Sequence, residues 1–224
     1  RDGTTEGCTT ECLSEDAEWE SVATESRTYD LRDRLLARGD WRYAYDDAGQ
    51  LSRRCQVDIP HPTCSDDNPT LERFEYDAHG LLLAYERDGD DPISVELIND
   101  PLGRRVAERI NGELTRQWVY DVAGRLAAEL DGVGEVRAHF VHGEARSAPS
   151  YFVIPGGPTV RVLTDHVGSP RLMVDVTTGE VLRRIDYDVH GVVLRDERAE
   201  GYEAVLPLGF AGGLVEPASG LVRF

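Results

Sequence analysis

Residues 117–126 read QWVYDVAGRL, and the same frame returns as RYAYDDAGQL at 42–51, FEYDAHGLL at 74–82 and IDYDVHGVV at 185–193. In such a frame the Asp carboxylate accepts from amides one or two residues on and so starts a turn. The Gly three residues later takes the left-handed conformation that closes a type I turn with a bulge. The Tyr ends the incoming strand, where its ring covers a cross-strand neighbour and its hydroxyl reaches solvent or backbone. Each copy is therefore expected to be a hairpin corner. The residues that build the corners are Tyr45, Asp46 and Gly49; Tyr76, Asp77 and Gly80; Asp100 and Gly103; Tyr120, Asp121 and Gly124; and Tyr187, Asp188 and Gly191. A pair used for acid–base chemistry is needed once, in one environment. This pair recurs with its turn glycine attached, which marks it as architecture.

Aligned on the Asp, the chain steps through Asp30, Asp46, Asp77, Asp100, Asp121, Asp165 and Asp188. Three of these steps are 23, 21 and 23 residues long. The Asp46–Asp77 interval holds an insertion with two cysteines, and the Asp121–Asp165 interval is about a double step in which 142–158 replaces a degenerate unit. Second turn signals fall near half a period, at Asp88-Gly89, Asn111-Gly112, Asp131-Gly132 and Thr178-Gly179; Asn-Gly and Asp-Gly suit the two positive φ angles of a type I′ turn. Between turns the pattern has period two: Trp41, Tyr43 and Tyr45 share a parity, as do Leu114, Trp118 and Tyr120, and again Leu126, Ala128 and Leu130. Only 13–28 offers a competing short helix, with weak apolar spacing. The fold class expected is all-β, a series of short antiparallel strands. Two corners depart from the frame: Asp33 stands where Gly belongs, a corner open to distortion although Asp tolerates φ > 0, and Asn99 replaces the Tyr before Asp100.

The 224 residues carry 42 acidic and 24 basic side chains, a formal charge of -18, and every basic residue is Arg. This balance argues against nucleic acid as a partner and against anionic membranes, and no apolar run approaches the ~20 residues of a spanning helix. The chain opens without Met and ends in mid-pattern, as a piece of something longer would. Cys8, Cys12, Cys55 and Cys64 permit two disulfides in three connectivities; their spacings suit zinc poorly, and four reduced thiols are the alternative.

The segment 164–194, TDHVGSPRLMVDVTTGEVLRRIDYDVHGVVL, closely resembles the core of YD-repeat proteins of the Rhs type. Asp165, His166, Gly168, Ser169, Pro170 and Arg171 match that core motif, with Val167 at a Leu position. The ending LPLGFAGGLVEPASGLVRF is similar to the family's Phe-Ala-Gly … Asp-Pro-x-Thr-Gly-Leu segment, with Glu216 in place of Asp. The resemblance covers about residues 29–224. It implies a β-sheet ribbon spiralling into a hollow shell, like those of toxin-complex C subunits and teneurins. It divides the chain into an acidic Cys-containing segment (1–28), a YD-repeat region (29–163) and a core region (164–224) that stops before the family's self-cleaving aspartyl protease motif.

Other chemistry is weakly signalled. Gly168-Ser169 lacks the second Gly of a nucleophile elbow, the 155–158 PGGP lacks the residues of a phosphate cradle, and DGDDP at 88–92 lacks the ligand series of a calcium loop. His166, beside Asp165, reads as a turn imidazole. The function expected is a non-enzymatic shell segment, without cofactor or metal, that encapsulates or presents a C-terminal toxic effector in a bacterial, secreted or cell-surface setting. Its partners would be the remaining shell segments of the same or a cleaved parent polypeptide and the enclosed toxin, with no membrane insertion by this segment. A cell-surface adhesion or carbohydrate-binding module is the alternative, motivated by Trp41, Tyr43 and Tyr45. An Asp165–His166 hydrolase is the third reading.

Overall fold

A computed structural model describes residues 26–58, 63–143, 148–203 and 206–224. Cys8, Cys12 and nearly all of the 13–28 helix candidate lie outside the described residues. Sixteen strands form one open antiparallel sheet in strict sequence order, a single long meander. They are β1 (Arg27–Tyr29), β2 (Leu35–Arg38), β3 (Trp41–Tyr45), β4 (Leu51–Gln56), β5 (Glu72–Tyr76), β6 (Leu82–Arg87), β7 (Ile93–Asn99) and β8 (Arg105–Ile110). The series continues with β9 (Glu113–Tyr120), β10 (Leu126–Asp131), β11 (Val136–Val141), β12 (Tyr151–Val153), β13 (Thr159–Thr164), β14 (Pro170–Asp175), β15 (Val181–Tyr187) and β16 (Val193–Arg198). A separate hairpin of β17 (Leu214–Glu216) and β18 (Leu221–Arg223) follows a 3-10 turn at Phe210–Gly212. The all-β expectation holds.

One face of the sheet carries the core. Cross-strand partners Phe74 and Tyr85, then Tyr85 and Val95, begin one apolar cluster that includes Leu97. Phe140 pairs with Phe152, Phe152 with Val160 and Val162 with Met173 in a second, larger cluster. Each buried aromatic of this size is worth ~2–3 kcal/mol by transfer alone. Both clusters are capped by the C-terminal segment: Leu206, Leu208 and Leu214 pack on the larger one, Ala218 and Leu221 on the smaller.

The period-two reading needs a correction at the corners. Tyr76 pairs with Leu82 but Glu75 pairs with Ala84, which leaves Leu83 unopposed. The same bulge follows Leu126, so that Ala128 faces Val119 and Glu129 faces Trp118. An extra residue inverts the alternation downstream of it. Leu126 and Glu129 consequently share the inner face, and Leu130 falls on the other.

The half-period turns also differ from expectation. Asn111-Gly112 is a two-residue turn with φ of 51° and 84° at its central residues, as type I′ requires. At Asp131 the left-handed residue is Gly134, not Gly132, and Asp131 accepts from the amides of Val133 and Glu135 in the manner of the main corners. Cys55 and Cys64 form a disulfide that ties β4 to the inserted loop.

Candidate functional site

The corners are built alike. At Asp121 the Gly124 amide donates to the Asp121 carbonyl, the Asp121 amide to the Arg125 carbonyl, and the carboxylate Oδ1 accepts from the amides of Ala123 and Arg125. Asp30, Asp77, Asp100, Asp165 and Asp188 repeat the carboxylate pair, and Asp46 accepts from Gln50. Gly49, Gly80, Gly103, Gly124, Gly168 and Gly191 all have φ between 77° and 93°. Asp33 takes φ 58° and keeps the first corner intact. Successive corners also touch: a Cβ on Gly80 would lie 2.8 Å from the Gln50 amide, and one on Gly103 3.4 Å from Leu81.

A second contact runs from four of the corners to the one before. The Tyr45 hydroxyl donates to the Leu35 carbonyl and the Tyr120 hydroxyl to the Arg105 carbonyl, each at 2.8 Å. Asn99 makes the equivalent bond to Leu82, so the loss of the ring at that corner keeps the tie. His142 makes it to Leu126 through Nε2 at 2.8 Å. His142 thus marks the Tyr position of the degenerate unit, where no Asp-x-x-Gly frame betrays it.

The carboxylates at Asp30, Asp77, Asp121 and Asp188 are held below the usual range first by the backbone amides of Arg34, Leu81, Arg125 and Val192, and that at Asp100 first by the Arg104 side chain. A folded-state value below the unfolded one gives stability that is present above the ordinary 3.8 and lost as pH falls below it. Acid titration followed by circular dichroism should therefore show β structure held to about pH 4 and failing below it. Retention of the full signal at pH 2 would contradict this account of the corners.

The core motif is one more corner with an added task. Asp165 accepts from the amides of Val167 and Ser169, and its Oδ2 faces Arg171 at 3.8 Å. Burial pushes its carboxyl up, and the Ser169 and Val167 bonds with the Arg171 charge more than offset that, so the net direction is down. Arg171 also pairs with Asp186 and lies over the Tyr187 ring. His166 is exposed, and among the described residues no hydrogen bond joins it to the Asp165 carboxylate. Gly168, Ser169 and Pro170 are buried, and the Ser169 hydroxyl accepts from the Ala211 amide at 2.9 Å. Phe210 packs edge-on to Tyr187 and sits where Gly191 would carry a Cβ, 2.7 Å away. The two segments that resemble Rhs cores thus hold one another: 165–171 is the seat of 209–213. Ser169→Ala should cost about 1–2 kcal/mol and accelerate hydrogen exchange at Ala211, and an unchanged Ala211 amide would refute the anchor.

From this seat the C-terminal segment crosses the inner face. Glu216 pairs with Arg105 at 2.8 Å with both side chains at most 3% exposed. Arg54 reaches the Ser219 carbonyl as well as Glu72, and Arg223 reaches Asn99 and the Gly103 carbonyl. Beneath it, between the two apolar clusters, Glu108 is clasped by Arg116, and Glu129 accepts from Trp118 Nε1 beside Arg137. Burial raises the Glu129 carboxyl against the pull of Arg116, Trp118 and Arg137. Burial and the nearby Glu108 push Glu216 up to about 7 in spite of Arg105, and burial pulls the Arg105 guanidinium down. Both partners register the pair as costly, as expected when two charges leave water. No group of three or more His, Cys, Asp or Glu able to hold a metal ion occurs among the described residues.

The Teneurin YD-shell family matches residues 16–224. Human Teneurin-4 is 29% identical over 205 residues, a stretch covering 87% of this chain and 6% of that protein. Zebrafish (Danio rerio) Teneurin-3 is 26% identical over 205 residues, 88% of this chain and 7% of that protein. Among solved structures, the crystal structure of TcdB2-TccC3-TEV aligns with a TM-score of 0.36 at 12% identity, over 77% of this chain and 11% of that one. TcdB2-TccC3 aligns with a TM-score of 0.32 at 11% identity, over 88% and 16%. The chain thus spans less than a tenth of the length of these curated relatives. A described sheet whose corners, seat and lining all come from the YD frame and the core motif agrees with the family match, and the chain belongs to the Teneurin YD-shell family.

Proposed function

We propose that this chain is a non-enzymatic wall segment of an Rhs/YD-repeat shell, and that the complete shell encloses or presents a toxic effector located C-terminal to it in a secreted or cell-surface setting. The observation that supports this reading is the lining. Residues 206–224 pack on both apolar clusters of one sheet face, while the corner tips, among them Leu31, Leu102, Val122 and Val189, stay exposed, the asymmetry of a wall with an inside. The partners are then further shell strands at β1 and β16, the edge strands among the described residues, since unpaired edges invite pairing, together with the enclosed polypeptide. The test is limited proteolysis of the full parent polypeptide. A downstream segment protected until the shell is denatured is expected, and one cut as fast as when expressed alone would end the encapsulation reading.

A second reading is a cell-surface adhesion or carbohydrate-binding module. Trp41, Tyr43 and Tyr45 support its glycan version less than their alternation suggested, because all three are half-buried, with Arg54 against Trp41 and Arg34 against Tyr45. Binding on a glycan array that Tyr43→Ala abolishes would establish it, and a blank array would remove it.

A further inference from the structure

The ladder thins between β4 and β5. Among the described residues only Arg53–Arg73 and Arg54–Glu72 are cross-strand partners there, whereas the β3–β4 and β5–β6 ladders run the length of their strands. One of these two pairs sets like charges directly opposite, which weakens a sheet. Two devices compensate, one on each face. On the inner face Arg54 pairs with Glu72, reaches the Ser219 carbonyl and lies against the rings of Trp41 and Phe74. Cys55, the next residue of the strand, points to the other face. There the inserted loop is fastened onto β4 by the Cys55–Cys64 disulfide.

That loop supplies what the short ladder lacks. The Thr70 hydroxyl accepts from the Gln56 amide. The Asn68 side-chain amide, in a residue 1% exposed, donates to the carbonyls of Gln56 and Thr63. Asp66 lies 3.0 Å from Arg53 and 3.8 Å from Arg73, and so stands between the two like charges. All three residues follow Cys64 closely in the chain, so the disulfide anchors the segment that carries them.

We propose that the Cys55–Cys64 disulfide is a redox switch for this seam: a dithiol reductant that opens it releases the loop and loosens β1–β4 from β5–β16. Cys55 is fully buried and Cys64 half-buried, so the reductant thiolate attacks the Cys64 sulfur. The S–S bond breaks, and Cys55 leaves as a thiolate and takes a proton. The second thiol of the reductant then displaces Cys64, so the protein gains two thiols and the reductant becomes a disulfide. The clip is made in an oxidising compartment and unmade in a reducing one. A loosened seam bares the edges of β4 and β5 to new pairing, whatever the shell encloses.

The test is hydrogen exchange read by mass spectrometry on the Cys8→Ser, Cys12→Ser chain, with and without millimolar dithiothreitol. Labelling with iodoacetamide checks that both remaining thiols are free. Amides of β3 and β4 are expected to exchange at least about tenfold faster on reduction, while those of β8 to β10 change by less than about twofold. Cys64→Ser without reductant should show the same pattern and no further response to dithiothreitol. Acceleration spread evenly over the sheet would mean that the disulfide stabilises the chain as a whole, and would overturn the proposal. So would unchanged exchange at β3 and β4 after reduction, or a disulfide that survives dithiothreitol in the folded protein. The comparison of oxidised with reduced chain does not depend on the Cys64 variant folding.

Discussion

Glu216→Ala is expected to destabilise the protein by about 3–5 kcal/mol at pH 8, while Arg105→Met combined with Glu216→Leu is expected to be neutral or stabilising. The single change leaves the Arg105 guanidinium, 2% exposed, with no acidic partner and with Arg223 acting against it. The double change removes both charges from a site that already penalises each, and leaves shapes that can pack against the neighbouring leucines. Urea unfolding with a double-mutant cycle isolates the coupling. A single variant as stable as the parent would mean that Glu216 does not fasten the hairpin. The pair also sets a pH dependence. Because Glu216 is raised from 4.5 to about 7 on folding, its contribution is full below 4.5 and is lost as pH rises through about 7. The protein should therefore gain on the order of 2–3 kcal/mol between pH 8 and pH 5. Glu216→Gln should flatten most of that rise and leave the smaller part due to Glu129, which is raised for the same reason. The corner aspartates act in the opposite sense below pH 4, so stability peaks between the two windows.

Gly132→Ala is expected to cost more than about 4 kcal/mol, beyond the range of ordinary substitutions. An added Cβ there would lie 1.8 Å from the Leu114 carbonyl oxygen and 2.8 Å from its carbon. The obstacle is backbone in the adjacent strand β9, so no rotamer change relieves it. Gly134, two residues on in the same turn, is the control. Its φ of 92° penalises a side chain, but nothing lies within 4 Å of the would-be Cβ, so Gly134→Ala should cost only about 1–3 kcal/mol for the strained conformation. Thermal melts of both variants decide the matter, and similar losses would show that β9 does not approach the turn this closely.

The contrast between these glycines shows where the sequence is legible. The corner frame is local: an Asp, its amides and a left-handed Gly lie within five residues, and the chemistry of the turn can be read directly. Asp131-Gly132 was misread because Asp-Gly also signals a type I′ turn, whereas the chain here places another Asp-x-x-Gly corner ending at Gly134. The inner face was harder to read. Bulges after Arg105 and Leu126 invert the alternation, so Glu108 and Glu129, polar in an apparent strand pattern, turn inward and Leu130 outward. His142 carries no signal because no Asp-x-x-Gly frame follows it. The Ser169–Ala211 and Arg105–Glu216 contacts join residues 42 and 111 positions apart. Resemblance identified both ends of the first contact as motifs, but no spacing rule could bring them together.

The strictly sequential strand order has a kinetic consequence. Every strand from β2 to β16 finds its partner in the strand made just before it, so sheet formation never has to wait for a distant loop to close, and such local pairing folds quickly. The segment after residue 205 is different: its hydrogen bonds to Arg105, Asn99 and Arg54 span 111, 124 and 165 residues. During synthesis the ribbon can be laid down hairpin by hairpin from the N-terminal side, with its apolar face uncovered, until residues 206–224 emerge. Those residues cover the two apolar clusters, and the interval before they arrive is when this stretch of nascent chain is most exposed to misassembly.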